Sequence, residues 1–436
     1  MVERSLDYQK KAQSHWLFII MCTLFLSLYI LRDIVGVGIH YYIIYAVALL
    51  TVMIVSAEEA ICFFMAISAF TNAGLDGVFC TALFACILLR FLFVMRTIKL
   101  HSALLILFVL IELLHFLGTR KVAIGVYLTY AMILLSLMIV QQYPQEKLDK
   151  VFIINTFIAF AVVYVSIVVI SVAMEHGSIA KLIEQGLRTE EYQEIKGNNF
   201  IAPNQNYLTQ MCSLGIALCV LLLRKKYAPA MYICAIIVFL VCGLLTVSKS
   251  FMVVLVALAL YITVMVTKRN SLAGVCVVAG LMIVAAAIEH YFGDTLIKMV
   301  IERFKTEDLT TGRLDINRKL LEYMDARPWL YLLGSGVLQV HFLTDMAVHS
   351  SIFELLGGWG VGGFFLVAAY VLLLIKEARE NIKKEDRKID GFGYLPLLLL
   401  FCYTINGMLF SQQFTIVQIS VCIFAMQVRE KNKYVV

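Results

Sequence analysis

Charged residues are few in this chain, and several stand beside long apolar runs where a charge needs a reason. Lys249 lies in Thr246-Val247-Ser248-Lys249-Ser250, and it is the one charged residue between Lys226 and Lys268. An ammonium at the edge of two apolar stretches suits an anion such as a diphosphate, with Ser248 adding a hydroxyl. The same placement also serves a lysine that only reaches outward to water. Arg313 follows Thr310-Thr311-Gly312. Hydroxyls, helix-start amides and a guanidinium together match phosphate oxygens. The helix dipole disfavours a cation at that position unless an anion is also present, and pairing with Asp308 or Asp315 is the equal alternative.

His349 stands in Val348-His349-Ser350-Ser351-Ile352-Phe353-Glu354. An imidazole there can take a proton from a hydroxyl near neutral pH, with the Glu354 carboxylate one turn further on. A histidine bonded to a backbone carbonyl and a carboxylate that caps or pairs locally are the competing readings. Glu112 and His115, three apart on one helix face, are the best candidates for a proton relay and so for a transporter.

The elements that must position these residues follow from composition. The 436 residues are 61% hydrophobic and 15% charged, with a mean hydropathy of +0.88. Soluble chains run near ~45 to 50% apolar and ~25% charged. The surplus has to face lipid, and it recurs along almost the whole length, so residues 1–436 read as a single membrane-embedded domain. All eleven cysteines fall in apolar runs, which argues against a disulfide framework and for small buried hydrophobes. The first apolar run is followed by Leu31-Arg32-Asp33 rather than a small-residue cleavage site, so it reads as a retained helix. A net charge of +6 scattered over short loops fits membrane topology and anionic lipids, and no nucleic-acid-binding pattern accompanies it.

About 20 apolar residues cross a bilayer as a helix. That measure gives spans near 16–31, 37–56, 57–70, 78–95, 101–118, 121–140, 151–173, 204–223, 230–247, 250–267, 271–290, 350–375, 394–410 and 413–428. The expected fold is an all-α polytopic membrane protein of about fourteen transmembrane helices. Segment 57–70 is short and ends in Thr71-Asn72-Ala73-Gly74, which suggests a half-span tucked among other helices. All five prolines sit at or beyond these boundaries. Lysine and arginine concentrate in the loops that share a side with the N-terminus, so both termini are expected in the cytoplasm and the loops 174–203 and 291–349 outside.

Within the long external loop 291–349, Ile316, Leu320, Tyr323 and Met324 repeat at helical intervals between charges. This predicts an amphipathic helix over 313–327 lying on the outer surface, capped by Thr310 or Thr311 and ended by Arg327-Pro328.

In order and spacing these features resemble the O-antigen polymerase and O-antigen ligase superfamily of bacterial polysaccharide assembly. Thr246 to Ser250 is similar to the family's Ser-Arg patch. Thr311-Gly312-Arg313 with Gly334-Ser335-Gly336 is similar to its external-loop pattern, and His349 to Gly363 to its His-Asn-x-aromatic-Leu-Glu stretch with trailing glycines. Asn198 with Pro203-Asn204-Gln205-Asn206 is a fainter match. The resemblance covers mainly residues 197–375. Lys249 stands where the family has arginine, and Ser350 where it has asparagine.

The resemblance implies a glycosyltransferase of the bacterial cytoplasmic membrane that polymerises undecaprenyl-diphosphate-linked oligosaccharide repeat units. Its catalytic residues would be His349 and Arg313, and its substrate contacts Lys249, Ser248, Thr311, Gly312, Glu354 and Asn204. No cofactor or metal is implied. Membrane lipids and other polysaccharide-assembly proteins are the expected partners, with no nucleic acid. A ligase passing the glycan to another acceptor fits the same motifs. A transporter or flippase of lipid-linked sugars would bind the same anion without breaking a bond, and a scaffold would need no polar cleft.

Overall fold

The computed structural model describes residues 15–70, 76–93, 98–119, 122–175, 177, 187, 205–246, 248–268, 270–292, 313–344, 348, 350–383, 391–403 and 415–430. Among them there is no strand. The helices are α1 (Trp16–Asp33), α2 (Tyr41–Ile54), α3 (Ala57–Ile67), α4 (Gly77–Phe91), α5 (Leu100–Thr119), α6 (Ile124–Gln141), α7 (Lys150–Glu175), α8 (Gln205–Arg224) and α9 (Pro229–Leu245). They continue with α10 (Lys249–Thr267), α11 (Ser271–Phe292), α12 (Arg313–Asp325), α13 (Trp329–Leu333), α14 (His341–Thr344), α15 (Ser351–Lys383), α16 (Gly391–Cys402) and α17 (Thr415–Met426).

A helix occupies every apolar segment expected from hydropathy. Seven described helices are long and apolar enough to cross a membrane: α1, α5, α6, α7, α8, α10 and α15. Others, such as α2, α4, α9, α16 and α17, are apolar but shorter. Large apolar side chains face outward, Leu114 and Leu272 at 70% and Phe93 at 88% exposure. Water penalises such a surface, and a hydrocarbon surround accepts it.

Polar contacts sort the helix ends into two groups. His15 before α1 bonds Glu59 of α3 at 2.7 Å, and its ring stacks on Phe152 of α7. Lys99 before α5 pairs with Glu377 of α15 at 2.6 Å. The start of α9 joins the start of α7 through the Tyr232 hydroxyl and Asn155 at 2.8 Å. Lys226 pairs with Glu430. Because these helices run alternately up and down, the α5–α6 and α9–α10 turns fall at the opposite end, hereafter the far end.

Helix α3 is short and wholly enveloped. Ser56 and Glu59 close a capping box at its start, its residues from Glu59 onward are buried, and it tightens into a 3-10 turn at Ser68–Phe70. Eleven helical residues rise roughly 16 Å, about half a hydrocarbon core. The chain therefore has to end a helix inside the bundle. The Ser68 carbonyl is satisfied there by the Tyr207 hydroxyl at 3.1 Å and the Gln418 amide at 3.0 Å. The residues that follow, Thr71 to Gly74, lie outside the described set.

Four expectations need correction. The segment 350–375 is not one continuous helix. At Gly360 (φ 66, ψ −167) it breaks into a short helix ending at Trp359 and a long one running to Lys383. Pro396 is not at a boundary, because α16 begins at Gly391 and carries the proline in its interior. Three cysteines, Cys234, Cys276 and Cys402, face outward rather than into the core, although all eleven are free thiols. The amphipathic helix forms as α12, yet its apolar stripe does not lie on the lipid surface. Ile316, Leu320 and Met324 are buried against Leu330, Val340 and Val348, a small core belonging to the loop itself. Its neighbours α13 to α15 lie close enough to take that stripe before lipid can. The cap residues Thr310 and Thr311 lie outside the described set.

Candidate functional site

At the far end, the loop return meets the break in α15. A helix interrupted at Gly360 leaves carbonyls one turn earlier without their intrahelical donors. Here the Ser335 amide donates to the Gly357 carbonyl at 2.8 Å and the Gly336 amide to the Gly358 carbonyl at 2.6 Å. The Ser335 hydroxyl adds a second bond to Gly357 at 3.0 Å. The two segments lie so close that only glycine fits. A Cβ on Gly334 (φ 68) would meet the Gly358 carbonyl oxygen at 2.1 Å, and one on Gly360 would meet the Leu332 backbone at 2.5 Å. Gly334-Ser335-Gly336 and Gly357-Gly358-Trp359-Gly360 thus form one backbone-to-backbone clasp.

Helix α5 closes the clasp from the side. The buried Glu112 carboxylate accepts the Val337 amide at 2.6 Å and the Trp359 indole N–H, through one oxygen. Trp359 also stacks on Phe108, ring centres 4.9 Å apart. One turn outward, His115 packs against Gly336. Another turn on, the Thr119 hydroxyl bonds the Gln339 side chain. Glu112, His115 and Thr119 make a polar stripe on one face of α5, and the loop return lies along it. Above, the Tyr331 hydroxyl donates to Asp325 at 2.7 Å, and that bond raises the Tyr331 phenol above its ordinary value.

Of the residues singled out from sequence, Glu354 sits in the short helix of α15, 1% exposed, and its amide bonds the Ser350 carbonyl at 2.8 Å. Glu354 and Glu112 both lie in the neighbourhood of the buried Tyr130 hydroxyl. Lys249 is the first residue of α10, with its ammonium shielded from solvent. The turn before it is tied by the Ser248 amide to the Thr246 hydroxyl at 3.3 Å and by the Leu187 amide to the Leu245 carbonyl at 3.0 Å. Lys249, Ser248, Glu354 and the clasp therefore share the far end. Arg313 opens α12 as expected; its side chain, and the whole of His349, Thr311, Gly312 and Asn204, lie outside the described residues.

The sequence offers Glu112 and His115 as the best candidates for a proton relay. In the structure Glu112 accepts N–H donors from distant segments, among them Val337 and Trp359. The sequence pattern does not single out Trp359, Val337 or Thr119. The spacing of Glu112, His115 and Thr119 extended the stripe by one turn, but nothing in the sequence named its partner. A separate polar cleft at the other end, lined by His101, Gln141, Gln145, Glu377, Ser420 and Gln427, is knit by Gln141 to Tyr370 at 2.8 Å and Ser420 at 3.2 Å.

Compared with known proteins, the chain matches no protein-family model and no curated protein sequence. The functional reading rests on the motifs and on the geometry of the far end.

Proposed function

We propose that this protein is a polytopic membrane glycosyltransferase that polymerises lipid-linked oligosaccharide repeat units at the outer face of a bacterial cytoplasmic membrane, with about fourteen spanning helices. Lysine and arginine crowd the end that carries Lys99, Lys226 and Arg429, and the positive-inside rule makes that end cytoplasmic. The far end, with Lys249 and the clasp, is then outside, together with the 291–349 loop.

One observation carries the reading: two motif patches that the sequence keeps apart, Gly334-Ser335-Gly336 and the glycines after Ser350, join backbone to backbone, at the end that also bears Lys249. In the reaction, a hydroxyl of the terminal sugar on a new unit attacks C1 of the growing chain. The C1–oxygen bond to undecaprenyl diphosphate breaks, the diphosphate leaves with the bonding pair, and the hydroxyl proton passes to His349. Lys249 and Arg313 hold the leaving charge, with Ser248, Thr311, Gly312 and Asn204 around it. Glu354, beside the clasp, orients the acceptor side.

The test is incubation of the purified protein with undecaprenyl-diphosphate-linked repeat units and resolution of products by chain length. A ladder of lengthened glycans is expected. Transfer of one intact chain to a different acceptor marks a ligase, and movement of the unit across a vesicle membrane without new bonds marks a flippase.

A further inference from the structure

The clasp holds α15 to the loop return, but backbone bonds between those two segments do not fix the loop return to the rest of the bundle. That link comes from α5. Glu112 is 1% exposed and Trp359 3% exposed. One carboxylate oxygen takes the Val337 amide, immediately after the clasp's Gly336, and the Trp359 indole, immediately before the break at Gly360. Both halves of the clasp thus end on one buried acceptor. A buried N–H left without an acceptor is costly. The sequence gap between Glu112 and its donors, more than two hundred residues, means that no local rule produces the contact.

We propose that Glu112 is a positioning residue: it anchors the clasp, and through it the start of α15 with Glu354, at a fixed place against α5. The positioning of chemistry rests on the glycosyltransferase reading; the anchoring of the clasp does not. His115 holds the same strip of chain through a hydrogen bond to the Leu333 backbone and Thr119 through a single hydroxyl, whereas Glu112 joins both halves.

The experiment uses the full-length protein in detergent or vesicles, with Trp16→Phe and Trp329→Phe introduced. Those two tryptophans are 64% and 56% exposed, so their replacement leaves Trp359 as the sole reporter. Hydrogen exchange of peptides covering 334–340 and Trp359 emission are measured for the wild type, Glu112→Ala and Glu112→Gln, and polymer formation is followed alongside. In Glu112→Ala, exchange of the Val337 amide should accelerate by at least about tenfold and Trp359 emission should shift to longer wavelength. The peptides around Lys99 and Glu377 should stay as protected as before. Turnover should fall by about 10²-fold with KM little changed, the scale expected when reacting groups are displaced by about 1 Å. Glu112→Gln keeps the shared acceptor oxygen and should recover most of the protection and turnover, which a general loss of folding would not give. Trp359→Phe, which keeps the stack on Phe108, should show part of the same exchange increase. Unchanged Val337 exchange and unchanged Trp359 emission in Glu112→Ala overturn the anchor. An opened clasp with full polymerising turnover overturns its positioning role. If the wild type forms no polymer, the glycosyltransferase reading fails, and the exchange and emission data still decide the anchor.

Discussion

Two helices end inside this bundle, and they are closed in different ways. Where α3 stops, side chains from other helices reach in: Tyr207 and Gln418 donate to the Ser68 carbonyl. Where α15 breaks at Gly360, another backbone supplies the donors, from Ser335 and Gly336. Side-chain closure leaves the broken helix free of special sequence, since Ser68, Ala69 and Phe70 are ordinary residues packed in a wholly buried site. Backbone closure demands contact distances that no side chain allows, hence glycine on both partners. The first kind of ending is a matter of stability. The second also fixes a loop against the start of α15, and under the proposed glycosyltransferase reading it positions chemistry.

The largest effect is expected from Gly360→Ala. A Cβ there lies 2.5 Å from the Leu332 backbone, at a φ of +66 that side chains rarely adopt. Strain and displacement together should cost about 3 kcal/mol or more, read as lost detergent-extractable folded protein. Normal yield and thermal stability would show that the clasp is not close-packed.

Next comes His349→Ala, which asks whether the clasp end carries the chemistry. If His349 is the proton acceptor, as the proposed reaction has it, its loss should cost roughly 10² to 10⁴ in turnover, while binding of the lipid-linked unit, assigned there to Lys249 and Arg313, persists. Polymer length and bound unit measured on the same sample decide it. Undiminished polymer would show that another group is the base.

Gln418→Leu sharpens the other half of the comparison. It removes a donor from Ser68 and Tyr207 and an acceptor from Gln210, at about 1 to 3 kcal/mol for stranded polar groups. A lower melting temperature with unchanged turnover per folded molecule is expected, and a selective loss of turnover would move chemistry to the α3 end. Ser56→Ala removes one arm of the α3 capping box and should cost about 1 kcal/mol, again without effect on turnover. Smallest of all is Lys249→Arg, which keeps the cation and should retain activity, whereas Lys249→Ala should lose it. If the alanine variant polymerises normally, Lys249 only snorkels.

Much of the fold was legible because lipid imposes one rule on every span: bury the backbone polar groups in a helix and turn apolar side chains outward. Hydropathy alone therefore located a helix in every apolar segment and flagged α3 as too short. The periodicity of Ile316, Leu320 and Met324 gave α12, and a positional pattern put glycines near 334 and 357. These signals are local, carried within one or two turns of chain.

What covers each face is not local. The stripe on α12 has the same spacing whether it rests on lipid or on Leu330 and Val340, so only the tertiary structure decided between them. A carboxylate and an imidazole three residues apart read equally as a relay or as an anchor, until Val337 and Trp359 are seen to donate to Glu112 from the far part of the chain. The break at Gly360 was hidden for the same reason: an apolar run with several glycines can continue as a helix, and what stops it is the approach of Leu332 and the pair of amides that donate to the freed carbonyls. The sequence by itself determined where apolar helices form, because hydrophobic length and period are properties of each segment. Which polar groups meet was decided only by packing, because hydrogen bonds between segments hundreds of residues apart leave no period to read.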